Sequence, residues 1–140
     1  MLLAQMEPEI RIGYSRIVTI STDDQLSLLE WRHALGVSWP FLSDADREVQ
    51  QDLEIQEYTD PRHDPMIPHT IMLEPGLIIF RVYVGYWYWG RPTPEEIRQD
   101  FRAITRKIRP DWDISQPGLR DRWDAGERDS FWPYGGDWRE

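Results

Sequence analysis

Cysteine is absent from all 140 residues. The sequence therefore offers no internal disulfide, no thiolate for a metal and no thiol nucleophile. Lysine is almost absent too, since fifteen of the sixteen basic residues are arginine. Positive charge as a whole is outweighed, with 25 acidic against 16 basic residues and a net charge of −9. That balance speaks against nucleic acid as a partner, because phosphates need a positive face, and against docking on anionic membranes. No apolar run approaches the length of a membrane span. The opening "MLLAQMEPEI" has no basic region, and its apolar stretch is too short for a secretory signal. A cytoplasmic location is the expectation.

What the chain does have is apolar and aromatic mass. Its 40% apolar content and eight tryptophans suffice for one real core, and its length fits one domain. "RIVTIST" at 16–22 reads as a strand buried on both faces, with Ile17, Val18 and Ile20 in near succession. A helix follows, capped by Thr22 or Asp23, with Leu28, Trp31 and Leu35 at helical spacing, Leu26 and Leu29 widening the stripe, and Gly36 as its stop. "VSWPFLSD" is a short extended piece. "DADREVQQDLEI" is a second helix, capped by Ser43 or Asp44, with Val49 and Leu53 turned inward. Residues 57–69 form a polar loop with three prolines.

"TIMLEPGLIIFRVYVG" reads as a hairpin turned at Pro75–Gly76, where glycine supplies the positive φ of a type II turn. Its second arm alternates, with Ile78, Phe80, Val82 and Val84 on one face and Leu77, Ile79, Arg81 and Tyr83 on the other. "TPEEIRQDFRAITRKIR" is the clearest helix, with a Thr93/Glu96 capping box, Pro94 at the first helical position, and Ile97, Phe101, Ile104 and Ile108 along one face. Residues 110–140 form a tail that carries Trp112, Trp123, Phe131, Trp132, Tyr134 and Trp138.

The order strand, helix, short strand, helix, hairpin, helix resembles the thioredoxin fold. More narrowly, it is similar to the peroxiredoxin-like family, the alkyl hydroperoxide reductase and thiol-specific antioxidant branch. The residues that carry the likeness are "VTISTDD" at 18–24, "LLEWRHALGVSWPFLSDADREVQQDLEI" at 28–55 and "IPHTIMLEPGLII" at 67–79. The resemblance implies an α/β three-layer sandwich with a mixed sheet and a C-terminal antiparallel hairpin, over residues 1–109, followed by the aromatic-rich tail at 110–140. It implies that Pro68 stands where such proteins carry a cis-proline, with Pro68 and Thr70 bordering the active-site side of the sheet. It implies thiol-dependent peroxide reduction as the family's activity, a homodimer and a reducing thiol partner. It implies no cofactor.

The family's reactive cysteine, its flanking proline and hydroxyl residue, and the central strand before them have no counterpart here. Residues 2–14 resemble only the last turns of the cysteine-bearing helix, so the expected fold lacks its first strand and most of its first helix. Arg62 and Arg81 are the candidates for the arginines that steady the thiolate in relatives. Two readings follow. The chain is an inactive fragment or N-terminally truncated form of a longer enzyme, the favoured reading, or it is a non-catalytic interaction protein that binds through an open sheet edge and an aromatic surface.

That surface is "GYWYWG" at 85–90, with Tyr86, Trp87, Tyr88 and Trp89. It reads as an extended segment packed on both faces, as a subunit interface, or as a stacking platform for sugars or bases. His63, Asp64 and His69, with Asp60 nearby, have metal-binding types but no compact ligand spacing, so a polar loop is expected in place of a metal site. Asp23 and Asp24 are adjacent on a helix and diverge by about 100°, which suits capping and not acid–base pairing.

Overall fold

The computed structural model describes residues 2–109 and 117–127, with the side chains of Leu2 and Tyr88 outside the description. Of the tail aromatics, Trp112, Phe131, Trp132, Tyr134 and Trp138 lie outside the described residues. The chain divides into two units, Met1–Ile97 and Arg98–Glu140.

In the first unit the order is α1 (Leu2–Ile12), β1 (Thr19–Ser21), α2 (Gln25–Leu35), β2 (Phe41–Ser43), α3 (Glu48–Asp52), β3 (His69–Glu74) and β4 (Ile78–Val84). Helix α4 (Pro94–Ile108) begins in this unit and continues into the second, which also holds α5 (Leu119–Asp124). None of the described helices is long and apolar enough to cross a membrane.

The strands form two separate two-stranded sheets, where the sequence led us to expect one mixed sheet. Strand β1 pairs in parallel with β2, and β3 pairs antiparallel with β4. The hydrogen bonds show why the ladders stop. The Thr19 N–H donates to the Pro40 carbonyl and the Asp44 N–H to the Ser21 carbonyl. Thr19 and Ser21 therefore face β2, which turns the Ile20 N–H and C=O to the opposite edge. By the same alternation, with Gly85 N–H on the Pro68 carbonyl, Ile71 presents its backbone groups on the side of β3 away from β4. No described strand pairs with either edge.

Burial departs from the sequence reading at β1. Val18 and Ile20 are 54% and 41% exposed, so this strand is not covered on both faces. Ile20 pairs with Leu42, and both project from one face of the pair and stay exposed. Phe41 meets the α2 side chain Trp31 edge-on, with ring centroids 5.4 Å apart, and stacks at 6.0 Å with the buried Trp39. The apolar stripe of α2 is also narrower than expected. Leu28 is buried, whereas Leu26, Leu29 and Trp31 are exposed.

Hairpin register corrects the alternation of β4. A bulge falls between Met72 and Leu73, so Met72 pairs with Arg81 while Leu73 pairs with Ile79, leaving Phe80 as the extra residue. Ile78 consequently shares a face with Arg81 and Tyr83, opposite buried Met72 and Glu74. Ile79 joins Val82 and Val84 on the other face, with Leu73, and all four are exposed. The turn glycine holds φ 83°, as expected, and Leu77 after it also takes a positive φ of 61°.

Capping follows charge closely. Helix α2 is capped by Asp24, one residue later than expected, whose carboxylate accepts from the Ser27 N–H at 2.9 Å and the Ser27 hydroxyl at 2.8 Å. Gly36 closes the helix in the left-handed conformation. The Thr93/Glu96 box forms as read, with Thr93 N–H to Glu96 Oε2 at 2.7 Å and Glu96 N–H to Thr93 Oγ1 at 3.2 Å. The backbone N–H and then the hydroxyl of Ser27 hold the Asp24 carboxyl below its ordinary pKa; those of Thr93 do the same for Glu96. A depressed folded pKa gives stability that is present above the unfolded pKa and is lost as pH falls through the folded value. We therefore expect the urea midpoint to drop below about pH 4. The Asp24→Asn/Glu96→Gln double variant should lose part of that slope, because the introduced asparagine still caps but does not titrate. An unchanged slope in the double variant would show that these caps are not linked to folding.

Candidate functional site

Pro68 and Thr70 stand at the start of β3. The Pro68 carbonyl accepts the Gly85 N–H at 2.6 Å, and Thr70 pairs across the hairpin with Tyr83. This brings Pro68 beside the aromatic segment 85–90. A Cβ on buried Gly85 would lie 2.9 Å from the Pro68 carbonyl and 3.1 Å from Arg91 Cγ. At the far end of the segment, Gly90 packs so closely on the Val84 carbonyl that a Cβ would overlap its oxygen. The two glycines thus close a six-residue loop by backbone approach that a side chain would block.

The loop holds its aromatic rings outward. Tyr86, Trp87 and Trp89 are 44%, 59% and 80% exposed. Trp87 and Trp89 stack nearly parallel at 5.6 Å, and Tyr86 meets Trp87 edge-on at 5.1 Å. Of the three readings from sequence, a segment packed on both faces is not what these side chains show. The parallel pair is also too close to admit a third ring between its members, so a stacked ligand would lie on an outer face.

The sequence did not single out the polar hub beneath the 57–69 loop. Arg47, in the left-handed region at φ 64°, sends its guanidinium into a ring of carbonyl oxygens. It donates to Ala45 at 2.8 Å, to Thr22 and Asp64 at 3.0 Å, and to Asp44 and His63 at 3.3 Å. Asp44, expected as the α3 cap, is buried and accepts the Val49 and Gln50 N–H groups at 3.0 and 2.9 Å. Arg47 occupies the cap position itself, without a side-chain cap bond. Fully buried Gln50 donates to the Asp64 carbonyl, while Val49, expected inward, is half-buried and Leu53, also expected inward, is exposed.

The loop histidines are separately engaged. His63 Nδ1 lies 2.8 Å from Asp60 Oδ2, and Asp60 is held below its ordinary pKa chiefly by that side-chain bond. His69 Nδ1 lies 2.7 Å from the Ile67 carbonyl, which only accepts, so this nitrogen carries the proton. Asp64 takes the Gln56 amide. No group of three metal-ligating side chains exists among the described residues. Arg62 is exposed, and Arg81 lies over the Phe80 and Tyr83 rings at 5.6 and 6.0 Å. With no cysteine in the sequence, neither has a thiolate to steady.

Comparison with solved structures places this architecture. Mycobacterium tuberculosis AhpC matches with a TM-score of 0.59 at 19% identity, over 80% of this chain and 61% of that one. Mycobacterium bovis AhpC matches with a TM-score of 0.56, also at 19% identity, over 81% and 61%. The chain thus spans about 61% of the length of either AhpC chain. No protein-family model and no curated protein matches. The parallel pair, the antiparallel hairpin and these matches define a peroxiredoxin-like fold of the thioredoxin-like class.

Proposed function

We propose that these residues form a peroxiredoxin-like redoxin scaffold that binds another polypeptide and does not itself turn over peroxide. Thiol-dependent peroxide reduction, in which a thiolate attacks the peroxide oxygen and becomes a sulfenic acid, is the activity we assign to the longer protein of which this chain would be the truncated part. The observation that carries the binding role is the outer edge of β4 at Val82, which like the edges at Ile20 and Ile71 pairs with no described strand, together with the exposed aromatic loop that follows it. Exposed strand edges invite pairing with another chain. The partner we favour is a second copy joined along the outer edge of β4, where Val82 directs its backbone groups away from β3, with Trp87 and Trp89 as anchors. A reducing thiol protein would be a partner only for a longer, cysteine-bearing form.

Two measurements test this. Purified chain, given hydrogen peroxide and a dithiol reductant, should consume no more peroxide than buffer; consumption above buffer would overturn the non-catalytic reading. Sedimentation should show a concentration-dependent dimer that Val82→Pro weakens at least tenfold, since proline removes the outward N–H and leaves the inner ladder intact. A monomer at every concentration would remove the homodimer.

A further inference from the structure

A cavity of about 610 Å³ lies against the C-terminal half of α1 in the first unit, and neither Pro68 nor any residue of the aromatic loop lines it. Its size falls in the range of small-molecule sites, roughly 300–1,000 Å³. One wall is apolar, made by Ile10, Ile17, Val18, Trp39 and Pro40. Trp39 is fixed in place, buried, with its indole N–H on Thr19 Oγ1 at 2.9 Å. Val18 is more than half exposed and would gain cover from an apolar occupant.

The charged side chains at this cavity are Glu7, Arg11 and Arg16. The Glu7 carboxylate accepts the Ser38 hydroxyl. Arg16 donates only to its neighbour, the Ser15 carbonyl, at 3.3 Å, and neither arginine has an ion-pair partner among the described residues. Two cations and one anion leave a single positive charge beside an apolar wall. A monoanion matches that balance. A cation would be repelled, and a dianion would meet Glu7.

We propose that this cavity binds a small amphiphilic carboxylate, its apolar chain against Ile17, Val18 and Trp39 and its carboxylate on Arg11 and Arg16. The geometry of a guanidinium, with paired N–H donors, suits a carboxylate in particular. This site is independent of the scaffold role proposed above and requires no thiol.

Titration calorimetry of the full chain with octanoate, octanol, octyltrimethylammonium and acetate tests it. Octanoate should bind at least tenfold more tightly than the other three. The Arg11→Ala/Arg16→Ala variant should lose that advantage while its weak octanol binding stays as in the parent. Val18→Glu, at an exposed position and so tolerated by the fold, should also weaken octanoate at least tenfold. Octanoate no tighter than octanol, equal binding of the alkylammonium, or undiminished affinity in the double arginine variant would each overturn the proposal.

Discussion

Arg47→Ala is expected to destabilise the chain by about 3 kcal/mol in urea unfolding at neutral pH. Five carbonyl oxygens converge on this guanidinium, from Thr22 after β1, Asp44 and Ala45 after β2, and His63 and Asp64 in the following loop. No other described side chain joins these three segments. Hydrogen bonds to a charged group are worth about 1.5–3 kcal/mol each when well buried. The Arg47 side chain is 21% exposed, so water can rehydrate several of the freed carbonyls, and the total stays well below the sum. The Asp64 carboxylate, 3.6 Å from Nε, adds an ion pair of modest worth at this exposure.

Backbone conformation allows the clasp to be separated from its strain. A non-glycine residue in the left-handed region costs roughly 1 kcal/mol. Arg47→Gly removes that cost together with the guanidinium, so it should be about 1 kcal/mol less damaging than Arg47→Ala. Arg47→Lys should fall between wild type and alanine, because one ammonium cannot reach carbonyls spread over a planar fork. An alanine variant within about 0.5 kcal/mol of wild type would mean that the ring of carbonyls is merely solvated.

The sequence disclosed local structure where one residue decides the outcome. Gly36, Gly76 and the Thr93/Glu96 box each act within a turn of the chain, and each is found as read. The peroxiredoxin-like order was legible for the same reason, as a succession of local patterns. Register was not. The bulge at Met72/Leu73 moves Ile78 and Ile79 to opposite faces from those that strict alternation assigns, and no composition marks its position. Burial at β1 was misread because apolar β-branched residues announce a covered strand, whereas cover depends on what lies alongside. Val18 and Ile20 have the right chemistry for an interior and remain exposed. Arg47 was invisible in a different way. Its partners are backbone carbonyls from distant segments, and a carbonyl belongs to every residue, so no sequence spacing points to it.

The 85–90 loop combines both cases, since its aromatic residues stood out at once while the means of presenting them did not. Those means rest on Gly90, and Gly90→Ala is expected to cost about 2–4 kcal/mol or to open the loop. The added methyl would overlap the Val84 carbonyl oxygen and lie 3.1 Å from its carbon. Both are backbone atoms of β4, so no rotamer change relieves the overlap. Gly85→Ala meets the Pro68 carbonyl at 2.9 Å and the flexible Arg91 side chain, and should cost less. Gly36→Ala provides a scale for strain alone. It meets nothing within 4 Å but sits at φ 64°, which predicts a loss of about 1 kcal/mol. The expected order of damage is therefore Gly90, then Gly85, then Gly36. Near-UV circular dichroism gives a second reading, because displacement of the loop must separate the stacked Trp87 and Trp89 rings and reduce their coupled signal. If Gly90→Ala keeps both the wild-type midpoint and that signal, the close approach to Val84 does not hold the loop, and Trp87 and Trp89 are not presented by it in one fixed arrangement.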